Sequence, residues 1–296
     1  MSETQEDARI QYVRGFPFSK APFYTKENLE GTLDYVPHDG DIVILSYPKT
    51  GTTWLEYIVL QILSKAEMFP DFNDVLLKYV PVVELVGPEA IDKMEGHRVY
   101  RTHLPYNRMN KNPKAKYLYI YRNPEDQFVS YYKFMQKIRP VPIDYNDFLD
   151  GYLSGRIEYA RYFEHILSFL EHKDDDNLLI ISYEKLYADR RNTILKIAKF
   201  LGEEYFQSLS KDEQLLDKVI KQTSFDYMQK NLPFEHPFFK KEVSASKKSN
   251  DAFFRKGVIG DGKSSLPPED VKRIRELAQK LMSGTEVLKD WMDLWN

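Results

Sequence analysis

The chain has 296 residues and carries 42 Lys and Arg against 45 Asp and Glu, a formal charge of −3. This near balance excludes a generally basic nucleic-acid coat and an acidic tail protein, so no nucleic-acid partner is expected. Cysteine is absent, which excludes disulfides, thiolate metal sites and a cysteine nucleophile. The first residues are polar and acidic, unlike a signal peptide, and no apolar run approaches the ~18 residues of a membrane span. We expect a soluble cytoplasmic protein with no membrane partner.

The first strong structural pattern follows an aromatic-rich, loop-like N-terminal segment, residues 1–40. Residues 41–47 (DIVILSY) are a continuous apolar run between Gly40 and Pro48, which predicts a buried strand of a parallel sheet. Residues 53–65 follow at once, with apolar side chains at helical spacing. Strand, short loop and helix therefore begin a βαβ unit.

The same alternation continues along the chain. Further strands are predicted at 98–100, 117–121 and 178–182, and further helices at 125–135 and 191–200. This order predicts one α/β domain, residues 1–296, with a central parallel sheet flanked by helices. Residues 231–250 contain Pro, Lys, Ser and three rings, and we expect them to form a mobile loop beside the active site.

Residues 47–54 (YPKTGTTW) lie between the first strand and its helix and have the composition of an anion cradle. Gly51 permits close backbone approach, the N–H groups at the helix start point outward, and Lys49 supplies a charge. The threonines Thr50, Thr52 and Thr53 add hydroxyl donors. A plain turn is the alternative, but the lysine and the flanking strand favour a P-loop-like site for phosphate or sulfate. The lysine precedes the only glycine, unlike the pattern of nucleotide triphosphatases.

This loop resembles the P-K-[ST]-G-T-T-W loop of the cytosolic sulfotransferases. Three further segments agree with that family in order and context. Residues 101–105 (RTHLP) resemble K-T-H-L-P, residues 122–132 (RNPEDQFVSYY) resemble R-N-x-x-D-x-x-V-S-Y-Y, and residues 255–263 (RKGVIGDGK) resemble R-K-G-x-x-G-D-W-K. The resemblance spans residues 46–263. It implies 3′-phosphoadenosine 5′-phosphosulfate (PAPS) as donor, 3′-phosphoadenosine 5′-phosphate (PAP) as product, and no metal.

The resemblance also implies roles for individual residues. His103 would be the base that takes the acceptor's proton, and Lys49 would neutralise charge on the departing phosphate. Arg101 replaces the family's lysine and would assist, although a planar guanidinium is not a point donor. The other implied donor-binding residues are Thr50, Gly51, Thr52, Thr53 and Trp54 in the loop, Arg122, Ser130, Arg255, Lys256 and Gly257 at the 3′-phosphate, Phe225 opposite Trp54 at the adenine with Tyr183 and Thr223 nearby, and Phe254, which precedes Arg255.

Two departures from the family pattern carry expectations of their own. Gly262 stands where the family has tryptophan, so we expect a freer loop there. The usual dimer segment, K-x-x-x-T-V-x-x-x-E, would need Thr-Val at Pro267 and Pro268 and an acid at Lys272. We therefore predict that the usual family dimer contact is absent, which leaves a monomer or a different dimer.

The group to be sulfated is predicted to be a hydroxyl, or alternatively an amine, on a small, flat acceptor such as a phenol or catechol, bound by an aromatic wall. Candidates for this wall are Phe16, Phe18, Phe23, Tyr79, Phe134 and Phe238, for which ordinary core packing is the alternative. Glu84 or Asp144 would suit an acceptor that bears an amine. Two other functions stay open from the sequence: a nucleotide kinase or triphosphatase, and a non-catalytic protein that keeps the nucleotide cradle.

Overall fold

A short antiparallel hairpin stands near the start of the chain. The computed structural model describes residues 9–139, 141–232, 254 and 256–295. Strands β1 (Ile10–Val13) and β2 (Phe16–Ser19) pair with each other. The two residues between them, Arg14 and Gly15, have φ angles of 49° and 74°, as in a type I′ turn. The aromatic-rich segment is therefore partly a hairpin, which corrects the prediction of a loop.

The centre of the fold is a parallel sheet in the order β4-β3-β5-β6. Its strands are β3 (Ile42–Ser46), β4 (Val99–Thr102), β5 (Lys116–Tyr121) and β6 (Leu178–Ser182). Strand β3 pairs with β4 and β5, and β5 pairs with β6, always in parallel. Because the strands run in one direction, the loops that follow β3, β4 and β5 meet at one edge of the sheet. These loops carry the motifs predicted from the sequence.

Helices connect the strands, and the α/β fold class is confirmed. The predicted helices at 53–65, 125–135 and 191–200 correspond to the helices Thr52–Leu63, Pro124–Ile138 and Arg190–Leu201. No helix within the described ranges has the length and apolar character needed to cross a membrane. The helices are α1 (Lys26–Asp34), α2 (Thr52–Leu63), α3 (Phe72–Asp74), α4 (Val83–Val86), α5 (Pro88–Asp92), α6 (Pro124–Ile138), α7 (Tyr145–Ser154), α8 (Tyr162–Leu170), α9 (Tyr183–Ala188), α10 (Arg190–Leu201), α11 (Glu203–Lys211), α12 (Glu213–Gln222), α13 (Phe225–Asn231), α14 (Asp261–Ser265), α15 (Pro268–Leu281) and α16 (Glu286–Trp295), with a π turn at Val75–Tyr79 and a 3-10 turn at Tyr106–Arg108.

The two faces of the sheet are buried by different kinds of side chain. Alternate residues of β5 point to opposite faces, so Tyr117 and Tyr119 belong to one core cluster and Leu118 and Ile120 to the other. The Tyr119 ring stacks on Phe169 of α8 with 3.8 Å between centroids. Core packing thus accounts for many of the rings that make the chain 14% aromatic.

Candidate active site

The loop between β3 and α2 is bent by two residues with left-handed backbone. Lys49 has a φ of 68° and Gly51 a φ of 108°. A Cβ at Gly51 would lie 2.7 Å from Cδ2 of Tyr183, so both conformation and space require glycine here. The bend brings the start of α2 to the carboxyl edge of the sheet. The first N–H groups of a helix lack acceptors within the helix, and an anion satisfies them well.

This loop faces a cavity of about 1170 Å³. The cavity brings together most of the site residues that the sequence predicts. Those that line it are Lys49, Gly51, Thr52, Thr53, Trp54, Arg101, His103, Arg122, Ser130, Tyr183, Phe225, Phe254, Lys256 and Gly257, with Phe23 and Phe134 among the candidates for the acceptor wall.

Other predicted residues lie elsewhere. Phe16 and Phe18 are buried in the aromatic core cluster, and Tyr79 packs against the aliphatic one. None of these three lines the cavity, because the hairpin and the π turn direct these rings into the core. Thr50 and Thr223 are fully buried and also lie outside the lining. Arg255, Phe238 and most of the predicted loop 231–250 lie outside the described residues.

The threonines of the anion loop have different surroundings. The Thr50 hydroxyl lies 2.9 Å from the Tyr47 carbonyl oxygen and 3.0 Å from that of Ile120. Both partners are acceptors, so this hydroxyl donates to the protein, contrary to the prediction that it faces a ligand. The Thr52 hydroxyl lies 2.7 Å from the Ser46 hydroxyl. Thr52 and Thr53 line the cavity.

His103 follows β4, and a backbone carbonyl fixes its tautomer. Nδ1 lies 2.7 Å from the Ser46 carbonyl oxygen. A carbonyl only accepts, so Nδ1 carries the proton and Nε2 keeps its lone pair. Burial and then the charge of Arg101 lower the pKa of His103 to about 3, so the ring is neutral at physiological pH. The Tyr159 ring packs edge-on against it, with 5.2 Å between centroids.

A buried carboxylate holds the backbone beneath this histidine. Glu84 Oε1 accepts hydrogen bonds from the Thr102 hydroxyl at 2.8 Å and from the His103 N–H at 2.7 Å. Glu84 does not line the cavity, and burial raises the pKa of its carboxyl. The other amine-binding candidate, Asp144, caps α7 by accepting from the Asp147 N–H at 3.0 Å. Neither residue therefore faces an acceptor.

Arg101 forms an ion pair with a buried carboxylate of α2. Its Nη1 lies 2.6 Å from Oε1 of Glu56, which is fully buried. The buried Nε of Arg101 has no hydrogen-bond partner among the described residues. Burial raises the pKa of Glu56, and Arg101 is the first of the groups that lower it. The guanidinium is thus held at the cavity wall with donor capacity left over.

A second cationic corner is built around Arg122, directly after β5. Its Nη2 donates to the Val258 carbonyl at 2.8 Å, and its guanidinium lies 4.2 Å from the centroid of the Tyr183 ring. Its buried Nε has no hydrogen-bond partner in the described part of the chain. Ser130 and Lys256 line the same cavity. A buried N–H without a partner, in a cavity that also offers a hydroxyl and an ammonium, suits a phosphate group.

The rings expected around an adenine meet at one end of the cavity. Trp54 Nε1 donates to the Thr223 carbonyl at 2.8 Å, and the edge of Tyr183 packs against Trp54 with 5.1 Å between centroids. Gly257 has a φ of 64°, and a Cβ there would lie 2.2 Å from the Phe225 ring. Trp54 and Phe225 both line the cavity, which therefore offers two aromatic rings to a flat ligand.

The segment around Gly262 is closely packed, which corrects the expectation of a freer loop. The Gly262 N–H donates to Asp126 Oδ1 at 2.6 Å, and a Cβ at this position would lie 2.4 Å from the carbonyl carbon of Glu125. The Gly260 N–H donates to the other oxygen of Asp126 at 2.9 Å. Backbone of α6 occupies the space that a side chain would need.

Several residues that line the cavity were not predicted from the sequence. Tyr24, Arg139, Glu158 and Tyr159 all line the cavity. Tyr159 and the following Ala160 have φ angles of 66° and 62°, an uncommon conformation for residues other than glycine. No local sequence signal reveals it, because the helices α7 and α8 on either side do not determine the conformation of the segment that joins them.

The geometry describes an α/β enzyme site for an anionic ligand, with a neutral histidine in the same cavity. Comparison with known proteins agrees. The family described as "Sulfotransferase domain" matches residues 39–286. Sulfotransferase 1B1 of Mus musculus is 32% identical over 288 residues, covering 93% of each chain. Sulfotransferase 2A2 of Rattus norvegicus is 32% identical over 280 residues, covering 92% of this chain and 95% of its own.

A solved structure extends the agreement to the fold. Mouse sulfotransferase SULT7A1 complexed with PAP is 26% identical, with a TM-score of 0.75 and coverage of 97% of this chain and 99% of that one. The chain therefore belongs to the sulfotransferase family, and the protein is a sulfotransferase. The resemblance inferred from its motifs is confirmed.

Proposed function

We propose that this enzyme transfers a sulfuryl group from PAPS to the hydroxyl of a small aromatic acceptor, with His103 as general base. The observation that carries the proposal is the Nδ1–H of His103 bound to the Ser46 carbonyl, which leaves Nε2 unprotonated. The anion loop and the Arg122 corner line the same cavity. The mouse structure that matches over nearly the whole chain is a complex with PAP.

The residues divide the reaction between them. Bound donor supplies a sulfuryl group on a phosphate leaving group. His103 Nε2 takes the acceptor's proton as the new O–S bond forms and the bond between sulfur and the phosphate oxygen breaks. Lys49 and the N–H groups at the start of α2 stabilise the charge left on the phosphate oxygen. Arg122, Ser130 and Lys256 hold the 3′-phosphate, with Arg255 as a further proposed ligand.

The low pKa of His103 fits this role once the donor is considered. Burial contributes most to the lowering, followed by the positive charge of Arg101, with Lys49 a smaller cause. A bound polyanion offsets those two cations and removes some of the cost of protonating the imidazole. The pKa of His103 therefore rises when donor binds, which makes the ring a better base in the complex that reacts.

An aromatic acceptor is supported by the rings that line the cavity with His103. Phe23, Tyr24, Phe134 and Tyr159 line the cavity together with His103. Phe134 also has the Lys49 Nζ 4.2 Å from its ring centroid, so one ring borders both the anion loop and the acceptor side. Rings pack well against a flat ring, and phenols and catechols carry the hydroxyl that reaction at His103 requires.

The alternatives are less well supported. A nucleotide kinase fits poorly because the lysine of the anion loop precedes its glycine and the family match is to sulfotransferases. A non-catalytic nucleotide-binding protein would need no base held in a fixed tautomer beside the anion loop.

The test is His103→Asn, whose amide can still donate toward the Ser46 carbonyl but lacks Nε2. We expect kcat for phenol sulfation with PAPS to fall at least about 100-fold, while the Kd for PAP in calorimetry changes less than about twofold. His172→Ala, a partly exposed histidine outside the cavity lining, is the control. Unchanged turnover in His103→Asn would remove His103 as the base.

We also propose a cytoplasmic location and the absence of the usual family dimer contact. One relative, 31% identical over 281 residues, is named Cytosolic sulfotransferase 17 of Arabidopsis thaliana. Pro267 and Pro268, where the family motif has Thr-Val, stand at the start of α15, where proline favours helix initiation. Sedimentation that shows a dimer disrupted by substitutions within residues 263–272 would contradict the second proposal.

A further inference from the structure

A buried ion pair forms part of the cavity wall. Arg139, directly after α6, places Nη2 2.5 Å from Oε1 of Glu158, and the two side chains are 17% and 5% exposed. The other carboxylate oxygen of Glu158 accepts from the Tyr131 hydroxyl at 3.2 Å. Arg139 and Glu158 both line the cavity. Neither takes part in the proposed sulfuryl transfer.

The pair lies on the acceptor side. Glu158 precedes Tyr159, whose ring contacts the His103 ring, and both residues line the same cavity. Arg139 Nη2 also donates to the Ser19 hydroxyl at 3.3 Å, and Ser19 and Tyr24 line this cavity as well. The cavity wall thus connects His103, through Tyr159 and Glu158, with Arg139, and offers a path along which a small acceptor with its hydroxyl at His103 can reach the guanidinium.

The charge at this end is unbalanced in favour of cations. Both oxygens of Glu158 already accept hydrogen bonds. The hydrogen bonds of the Arg139 side chain among the described residues, to Glu158 and to the Ser19 hydroxyl, both leave from Nη2, whereas a guanidinium has five N–H donors. Lys20, exposed and also in the lining, adds a second positive charge. Glu158 and Asp226 are the carboxylates among the described lining residues, and Asp226 is next to Phe225 at the adenine end.

We propose that Arg139, with Lys20, binds an anionic group on the acceptor, so that the preferred acceptors are phenols with a carboxylate at the end opposite the hydroxyl. This inference rests on the proposed sulfotransferase function. Glu158 orients the guanidinium by accepting a hydrogen bond from it, and the remaining N–H groups of Arg139 donate to the carboxylate of the acceptor. An acceptor that bears an amine is disfavoured. Its positive charge would be repelled by Arg139 and Lys20, and both oxygens of Glu158 already accept hydrogen bonds from the protein.

The experiment compares 4-hydroxyphenyl-acetate, -propionate and -butyrate with their carboxamides, and with tyramine, as acceptors for the intact enzyme. For at least one chain length we expect kcat/KM of the carboxylate to exceed that of the carboxamide by about tenfold. In the double variant Arg139→Gln with Glu158→Gln, a neutral pair replaces the ion pair, and the ratio should fall to about one. Calorimetry on the enzyme–PAP complex measures the Kd of each carboxylate and its carboxamide, and so tests the same preference without turnover.

Two further variants keep the test decisive. Arg273→Gln with Asp150→Asn removes a half-exposed ion pair outside the lining and should leave the ratio unchanged. Lys20→Gln leaves the Arg139 pair intact and should lower the ratio about two- to threefold, which covers the case in which the double variant does not fold. A rise in melting temperature with PAP verifies the fold of each variant.

The outcomes separate the two proposals. If all the phenols are inert while carboxylates bind the PAP complex in an Arg139-dependent way, the sulfuryl transfer proposal fails and the anion site stands. If carboxamides or tyramine are the better acceptors and ligands at every chain length, the anion site is refuted. The same conclusion follows if the double variant and Lys20→Gln both keep the preference of the native enzyme.

Discussion

Replacing Arg101 by glutamine tests whether this residue serves the fold, the chemistry or both. The substitution removes the guanidinium that lies 2.6 Å from Glu56, a fully buried carboxylate. Loss of one partner of a buried ion pair costs about 3–5 kcal/mol, because the remaining charge is left without compensation. For a chain of this size about 2 °C is lost per kcal/mol, so we expect the melting temperature to fall by roughly 6–10 °C at neutral pH.

The loss of stability in Arg101→Gln should be larger at high pH than at low pH. Burial raises the pKa of Glu56 above its ordinary value of 4.5, and Arg101 is the first of the groups that oppose this. Without Arg101 the folded-state pKa rises further, so the folded state holds a proton that the unfolded chain releases. Stability is then lost as pH rises above about 4.5 toward the folded-state pKa. Thermal unfolding at about pH 5.5 should therefore show a smaller deficit than at about pH 8.

A second variant separates stability from catalysis. Arg101→Gln with Glu56→Gln leaves a neutral pair, and its melting temperature should return to within about 2–3 °C of the native value, since no buried charge remains. If its turnover with PAPS stays low, Arg101 contributes to the reaction itself. A melting temperature of Arg101→Gln within about 2 °C of native at pH 8 would refute the argument that Glu56 depends on this guanidinium.

Two glycine substitutions test the tight packing around the cavity. Gly51→Ala combines a φ of 108° with a Cβ 2.7 Å from the Tyr183 ring, so we expect PAP binding at least about tenfold weaker in calorimetry, and native affinity would contradict it. Gly262→Ala places a Cβ 2.4 Å from the backbone of Glu125, and we expect a loss of about 1–3 kcal/mol in denaturant unfolding. An unchanged denaturant midpoint would contradict this, since it would mean that the backbone of α6 moves to accommodate the methyl group at little cost.

The sequence predicts those parts of the site that depend on local chain geometry. Residues 178–182 are the predicted strand without any change of bounds, and Gly51, His103 and Arg122 follow strands β3, β4 and β5 as expected. Each motif stands directly after an apolar run, so placing the run also places the motif. The strand order β4-β3-β5-β6 then brings the three loops together.

The acceptor wall could not be predicted in the same way, because it depends on contacts between distant segments. Phe16 and Phe18 belong to a hairpin whose pairing turns both rings into the core, whereas Phe23, a few residues later, lines the cavity. Arg139 and Glu158 are 19 residues apart and meet only in the folded chain. Neither composition nor periodicity distinguishes such residues from ordinary surface charges.

The net charge of the chain is close to zero, yet the cavity can bind a polyanion because of how its charged side chains are arranged. Three cations of the cavity are each backed by a carboxylate: Arg101 by Glu56 at 2.6 Å, Arg122 by Asp126 at 3.6 Å, and Lys256 by Asp261 at 2.5 Å. These carboxylate side chains are at most 1% exposed. The negative charges thus lie behind the positive ones, where they orient the cations without meeting the ligand. An arriving anion adds a second partner to groups already in place, so little reorganisation is needed on binding or during transfer. The overall charge of −3 is therefore compatible with a cavity that attracts anions, because burial decides which of the charges face the ligand.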